Sequence, residues 1–131
     1  MGDTLTVEVR QEPGHVIVAV AGEIDISTAT RLREGLFEAA ASGDPLVIDL
    51  DQVTFIDSVG LAVLVCAAKR VATHGSSLQV ACARPRIREL LCLTGLDCWI
   101  PLARTLDEAL EARAATPAAP RGVPPGRVIG G

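Results

Sequence analysis

The apolar residues of this chain change their spacing in a regular way, and each change marks an element. Residues 5–10 alternate, with Leu5, Val7 and Val9 apolar between polar neighbours, which predicts a strand with one buried face. Glu12-Pro13-Gly14 supplies turn chemistry. Residues 16–21 then form a continuous apolar run rich in β-branched residues, the signature of a second strand buried on both faces. After Gly22-Glu23-Ile24-Asp25, Ser27 is placed to cap a helix in which Ala29, Leu32, Leu36, Phe37 and Ala40 keep helical spacing up to Gly43. Residues 46–50 predict a third strand ending at Asp51, followed by a short apolar connector over 53–56.

A second helix is expected to begin at Asp57 or Ser58. Its stripe is Leu61, Leu64, Val65, Ala68 and Val71, closed by His74-Gly75. Leu78, Val80 and Cys82 alternate as a fourth strand, and Pro85 opens a third helix with Ile87, Leu90 and Leu91 inward, ending at Gly95. Residues 98–100 are expected to form a short fifth strand. Thr105-Leu106-Asp107-Glu108 reads as a capping box for a last helix reaching about Arg113. The predicted order is ββαβαβαβα, an α/β fold with a mixed sheet and four packed helices over 1–113. Residues 114–131, rich in Pro, Gly and Ala, predict a disordered tail.

Composition narrows what such a domain can do. Of 131 residues 49% are hydrophobic but only 2% aromatic, so the core is aliphatic and no base-stacking platform is available. A net charge of -4 is the wrong sign for attracting a phosphate backbone, and nucleic-acid binding is not expected. The apolar stretch 59–68 stops at Lys69 and is too short for a membrane span, and the N-terminus has no secretory pattern, so a cytoplasmic protein is expected. Cys66, Cys82, Cys92 and Cys98 form no ligand-like spacing with His15 or His74 and read as reduced core cysteines, with no metal site and no cofactor. Gly-rich phosphate loops, H-E-x-x-H and G-x-S-x-G are all missing from the sequence, which argues against an enzyme. A response-regulator receiver would need a lysine ending a strand, whereas Lys69 falls in mid-helix.

What remains is Phe55-Ile56-Asp57-Ser58-Val59-Gly60-Leu61, a strand exit running into a helix start. Two readings are open. Asp57 or Ser58 is an ordinary N-cap with Gly60 permitting close packing, or Ser58 is a hydroxyl presented to a kinase. A phosphate at Ser58 is expected to be tolerated locally, because unpaired N–H groups and the positive end of the helix accept an anion. If the strands that end at Asp25 and before Ser58 are parallel neighbours, the two residues share one sheet edge.

Gly22-Glu23-Ile24-Asp25, followed by Val47-Ile48-Asp49-Leu50 and then by Phe55-Ile56-Asp57-Ser58-Val59-Gly60-Leu61, resembles the STAS domain of bacterial anti-sigma factor antagonists. The resemblance spans roughly residues 5–113 in the same order of elements. It implies a STAS fold and a regulator that, when unphosphorylated, binds an anti-sigma factor serine kinase and releases the sigma factor. It also implies phosphorylation at Ser58 by that kinase, reset by a PP2C-type phosphatase, and a partner surface of Asp25, Asp57, Ser58, Val59, Gly60 and Leu61. Val59 and Ala62 depart from the small hydroxyl residue and the glycine common at those places in the family. The alternative is a STAS-domain scaffold or subunit of a stress-signalling or lipid-transport complex, with Ser58 only a helix cap.

Overall fold

The computed structural model describes residues 5–115. Strands β1 (Leu5–Glu12) and β2 (His15–Ile24) form a hairpin around Pro13 and Gly14, and are followed by α1 (Ala29–Ala40) and β3 (Leu46–Ile56). The second half runs α2 (Ser58–Thr73), β4 (Leu78–Ala81), α3 (Pro85–Leu93), a one-turn 3-10 helix (Leu96–Cys98), β5 (Leu102–Ala103) and α4 (Leu106–Ala115). The five strands lie in chain order across one sheet, with β1 antiparallel to β2 and the other neighbours parallel. The expected element order therefore holds. Of the expected tail 114–131, Ala114 and Ala115 belong to α4, and the rest lies outside the described residues.

The sheet separates two cores of unequal size. On one face Val16, Val18, Val20 and Ile24 of β2 and Leu46, Ile48 and Leu50 of β3 meet Leu32 and Leu36 of α1, Leu64 and Ala67 of α2 and Ile87 and Leu91 of α3. On the other, α4 alone covers Val47, Ala81 and Ala103 with Ala109. The apolar side chains of β2 on the face toward α1 to α3, Val16, Val18, Val20 and Ile24, are thus buried, while on the other face Ile17 is buried and Ala19 and Ala21 are only half-buried. The expectation of burial on both faces is met only at Ile17, because α4 covers β3 to β5 and not β2. Arg33 of α1 and Arg70 of α2 both lie over the Phe37 ring, 4.8 and 4.6 Å from its centroid, and tie the outer sides of the two helices together.

Two expected boundaries fall elsewhere. The connector 53–56 is strand: β3 continues to Ile56, and its register with β2 slips between Ala19 and Ala21 and again between Gly22 and Glu23, each time with an extra residue in β3. Core-facing residues of β3 are spaced by two up to Leu50 and by three from there to Val53 and Ile56, so strand periodicity is lost while strand pairing is kept. Gly22, at φ +114°, supplies the backbone that only glycine adopts readily at the second slip. The fifth strand is Leu102–Ala103 and not 98–100. Gly95 at φ +79° starts a turn in which Trp99 and Ile100 donate their N–H groups to the Leu96 carbonyl, so these amides are committed before they could pair with β4.

Three of the four cysteines expected in the core are exposed; only Cys82 is buried. Its thiol lies 3.8 Å from the Leu50 carbonyl oxygen, and burial pushes its pKa up. Cys66, Cys92 and Cys98 occupy the outward sides of α2, α3 and the 3-10 turn, where an apolar-run argument from sequence cannot tell one side from the other. The capping box at α4 is present. Thr105 Oγ1 accepts from the Glu108 N–H at 3.0 Å, and Glu108 Oε1 accepts from the Arg104 N–H, one residue before the expected partner.

Candidate functional site

The parallel pairing of β2 with β3 brings Ile24 opposite Ile56, so the residues that follow both strands emerge on one edge of the sheet. Asp57 donates its N–H to the Ile24 carbonyl at 3.1 Å, which joins the two strand exits directly. Its carboxylate turns back over α2. Oδ1 accepts from the Val59 N–H at 3.0 Å and from the Gly60 N–H at 3.2 Å, so Asp57 is the N-cap and Ser58 the first helical residue. These two N–H groups were expected to be open to a phosphate. They are already satisfied by a carboxylate, so an anion on Ser58 would meet the Asp57 charge beside it.

Gly60 sets how closely α2 sits on the strand ends. A Cβ added there would lie 2.4 Å from Ile24 Cγ2 and 2.9 Å from Ile56 Cγ1, closer than any side-chain carbon tolerates. The glycine therefore lets the helix start rest directly on both exits. Val59 and Leu61 are half-buried and pack against the core, while Ser58 points outward and is exposed. Of the residues expected at the surface, Ser58 presents its side chain to solvent and Asp25 and Asp57 are half-exposed, whereas Gly60 is buried.

At the neighbouring exit Asp25 closes a compact turn. Its Oδ1 accepts from the Ser27 hydroxyl at 2.7 Å, the Ser27 N–H at 2.9 Å and the Thr28 N–H at 3.2 Å. The Ser27 hydroxyl is the main reason that the carboxyl is held below its ordinary value; partial burial opposes it, and the two backbone donors add to it. Thr28, and not Ser27, occupies the N-cap position of α1, and its hydroxyl makes no capping bond. The buried Thr28 Oγ1 instead accepts from the Asp25 N–H at 2.9 Å and donates to the Glu23 carbonyl at 2.8 Å. The Ser27 hydroxyl is thus committed. Among the described residues the Ser58 hydroxyl has no hydrogen-bond partner.

Asp25 and Ser58 share the edge, as the parallel-neighbour argument expects, but no hydrogen bond joins their side chains among the described residues. Two flanking apolar residues were not expected at the partner surface, although Phe55 stands at the head of the motif that leads to Ser58. Ile26 is 78% exposed and Phe55 46% exposed. Ile26 stands in the turn between Asp25 and α1, and Phe55 at the second register slip of β3, so neither belongs to a periodic stripe. The signal that could have found them is an apolar residue that fits neither a strand nor a helix period.

The STAS domain model matches residues 6–109. The anti-sigma-B factor antagonist of Bacillus subtilis is 39% identical over 92 residues, covering 70% of this chain and 84% of that protein. The anti-sigma-F factor antagonist RsfB of Mycobacterium tuberculosis is 37% identical over 111 residues, covering 82% and 88%. Among solved structures, an anti-sigma factor antagonist from Mycobacterium paratuberculosis superposes with a TM-score of 0.78 at 38% identity, over 83% of this chain and 93% of that one.

Proposed function

Since this chain belongs to the STAS domain family, we propose that it is an anti-sigma factor antagonist switched at Ser58. The unphosphorylated form binds an anti-sigma factor serine kinase and frees the sigma factor. The kinase transfers the ATP γ-phosphoryl group to Ser58 Oγ, and a PP2C-type phosphatase removes it. The observation that carries this reading is the contrast between two serines on one edge: Ser27 is held by Asp25, while Ser58 stands exposed with no partner for its hydroxyl among the described residues.

Charge is the physical lever. Phosphorylation adds about -1.5 to -2 charges at neutral pH, next to Asp57 and on an edge that also holds Asp25 and the exposed Glu23. With the Val59 and Gly60 N–H groups taken by Asp57, the helix end offers the dianion little compensation. A partner surface closing over it must desolvate an unpaired charge. A nearly complete switch needs a difference in binding of about 5.5 kcal/mol, and it needs no refolding.

The test is incubation with an anti-sigma factor serine kinase and ATP, followed by phosphopeptide mapping. Phosphate is expected on Ser58; phosphate on exposed Thr54 or Ser77 instead would remove the assignment. Ser58→Ala is expected to keep kinase binding and Ser58→Asp to weaken it strongly. Equal affinities would leave the STAS scaffold reading in its place.

A further inference from the structure

β1 is an edge strand of eight residues, paired with β2 along its whole length from Leu5↔Gly22 to Glu12↔His15. Among the described residues no strand pairs with its outer side. An edge this long presents a row of unpaired N–H and C=O groups, a template for another strand. β5, at the opposite edge, has only two residues and offers no such template. The side chains of β1 then decide what can add to it. Thr6, Glu8 and Arg10 alternate on the face opposite α1, outside the cover of α4, and are exposed, while Val9, on the α1 face beyond the cover of that helix, is 36% exposed.

We propose that a second copy of this chain pairs with β1 edge to edge, antiparallel, about a two-fold axis passing beside Val9. Two adjacent antiparallel strands of identical chains can be related only by an axis perpendicular to the sheet, and since such an axis keeps every side chain on its own face, it must pass between one residue and its own copy. Centred on Val9, the pairing sets Glu8 of each copy opposite Arg10 of the other, twice, and buries the two exposed Val9 side chains against one another. Centred on Glu8 it sets glutamate against glutamate, and centred on Arg10 it sets arginine against arginine and Glu8 against Glu12. Centred on Gln11 it again opposes Arg10 and Glu12, but it pairs only residues 10–12 of the strand, whereas the Val9 register pairs residues 6–12, so charge and paired length together favour the Val9 register over the others. Arg31 Nη1 donates to the Leu5 carbonyl at 2.9 Å, which falls outside the paired stretch 6–12 and does not block it.

The dimer joins two five-stranded sheets into one continuous sheet and consumes the long edge of each. Because the two β1 strands run in opposite directions, the Ser58 edges point to opposite ends of the assembly and both stay open. Dimerisation and partner binding are thus independent, and the pairing does not rest on the switch proposed for Ser58.

The test is sedimentation velocity on the full chain over a range of concentrations, with circular dichroism to show that each variant is folded. Wild-type protein is expected to dimerise reversibly. Glu8→Arg alone and Arg10→Glu alone should each weaken the dimer on the order of tenfold, since the axis counts every altered pair twice. The double variant Glu8→Arg with Arg10→Glu should restore it. A wild type that stays monomeric at its highest soluble concentration, a dimer indifferent to both single reversals, or a double variant no better than the singles would each overturn the proposal.

Discussion

Helices α1 and α2 start from neighbouring strands, and each start has an aspartate and a serine, yet the two are wired in opposite ways. At α1 the aspartate lies before the cap position and spends its carboxylate on Ser27 and Thr28, and the buried Thr28 hydroxyl returns to the backbone of Asp25 and Glu23. Both hydroxyls of that turn have partners, within the turn or at the end of β2. At α2 the aspartate is the cap itself, and the serine after it is left over. The same two residue types give a closed knot in one place and an exposed hydroxyl in the other. A hydroxyl is available for chemistry when its neighbours are satisfied without it.

The largest effect that would break this comparison comes from the contact beneath α2. Gly60→Ala forces a methyl group into Ile24 and Ile56, and is expected to destabilise the fold by about 2 to 3 kcal/mol in urea denaturation. A neutral result would mean that α2 is not seated on the strand exits. Next in size is the contrast between hydroxyls. Thr28→Val keeps the shape but leaves the Asp25 N–H and the Glu23 carbonyl without their partner, for a loss of about 2 kcal/mol, whereas Ser58→Ala should change stability by no more than about 0.5 kcal/mol. Equal losses would show that Ser58 is part of the scaffold.

The smallest effect is a titration. Asp25 is held below the usual carboxylate range, chiefly by the Ser27 hydroxyl. The folded chain therefore keeps it ionised to lower pH than the unfolded chain does. Its contribution to stability is complete above the ordinary carboxylate range and is lost as pH falls through the folded-state value. In Ser27→Ala, the carboxyl observed by NMR should titrate closer to its ordinary value. An unchanged titration would remove Ser27 from the knot.

Much of this molecule was legible from spacing alone. The helical stripes of α1 and α2, Pro85 at the start of α3 and the Thr105 capping box are local patterns, and local patterns survive folding. So did the position of Asp57 and Ser58 at a helix start. What spacing could not reveal depends on contacts between segments distant in sequence. The slips in β3 exist only relative to β2, so residues 53–56 looked like a connector. The share of the Val59 and Gly60 N–H groups taken by Asp57 depends on a side-chain rotamer, and the exposure of Cys66, Cys92 and Cys98 on which side of each element meets the sheet. The resemblance to antagonists pointed to Ser58 as the residue that matters; the structure supplies the reason its hydroxyl, unlike that of Ser27, is unengaged.

The two slips in β3 carry one more consequence, for what lengths of chain the fold accepts. From Leu50 onward the strand holds two residues more than straight pairing with β2 would need. Deleting the extra residue at one slip would not reverse the faces of the strand, because core-facing residues now three apart would fall two apart as in regular pairing. It would remove the bend that the bulge puts into β3 and so move the strand exit that carries Ser58. A deletion in the turn between α1 and β3, around Ser42 and Gly43, has no such downstream effect, because the strand that follows finds its register from its own pairing. The number of residues between Leu50 and Asp57 is therefore as much a part of the site as the serine itself.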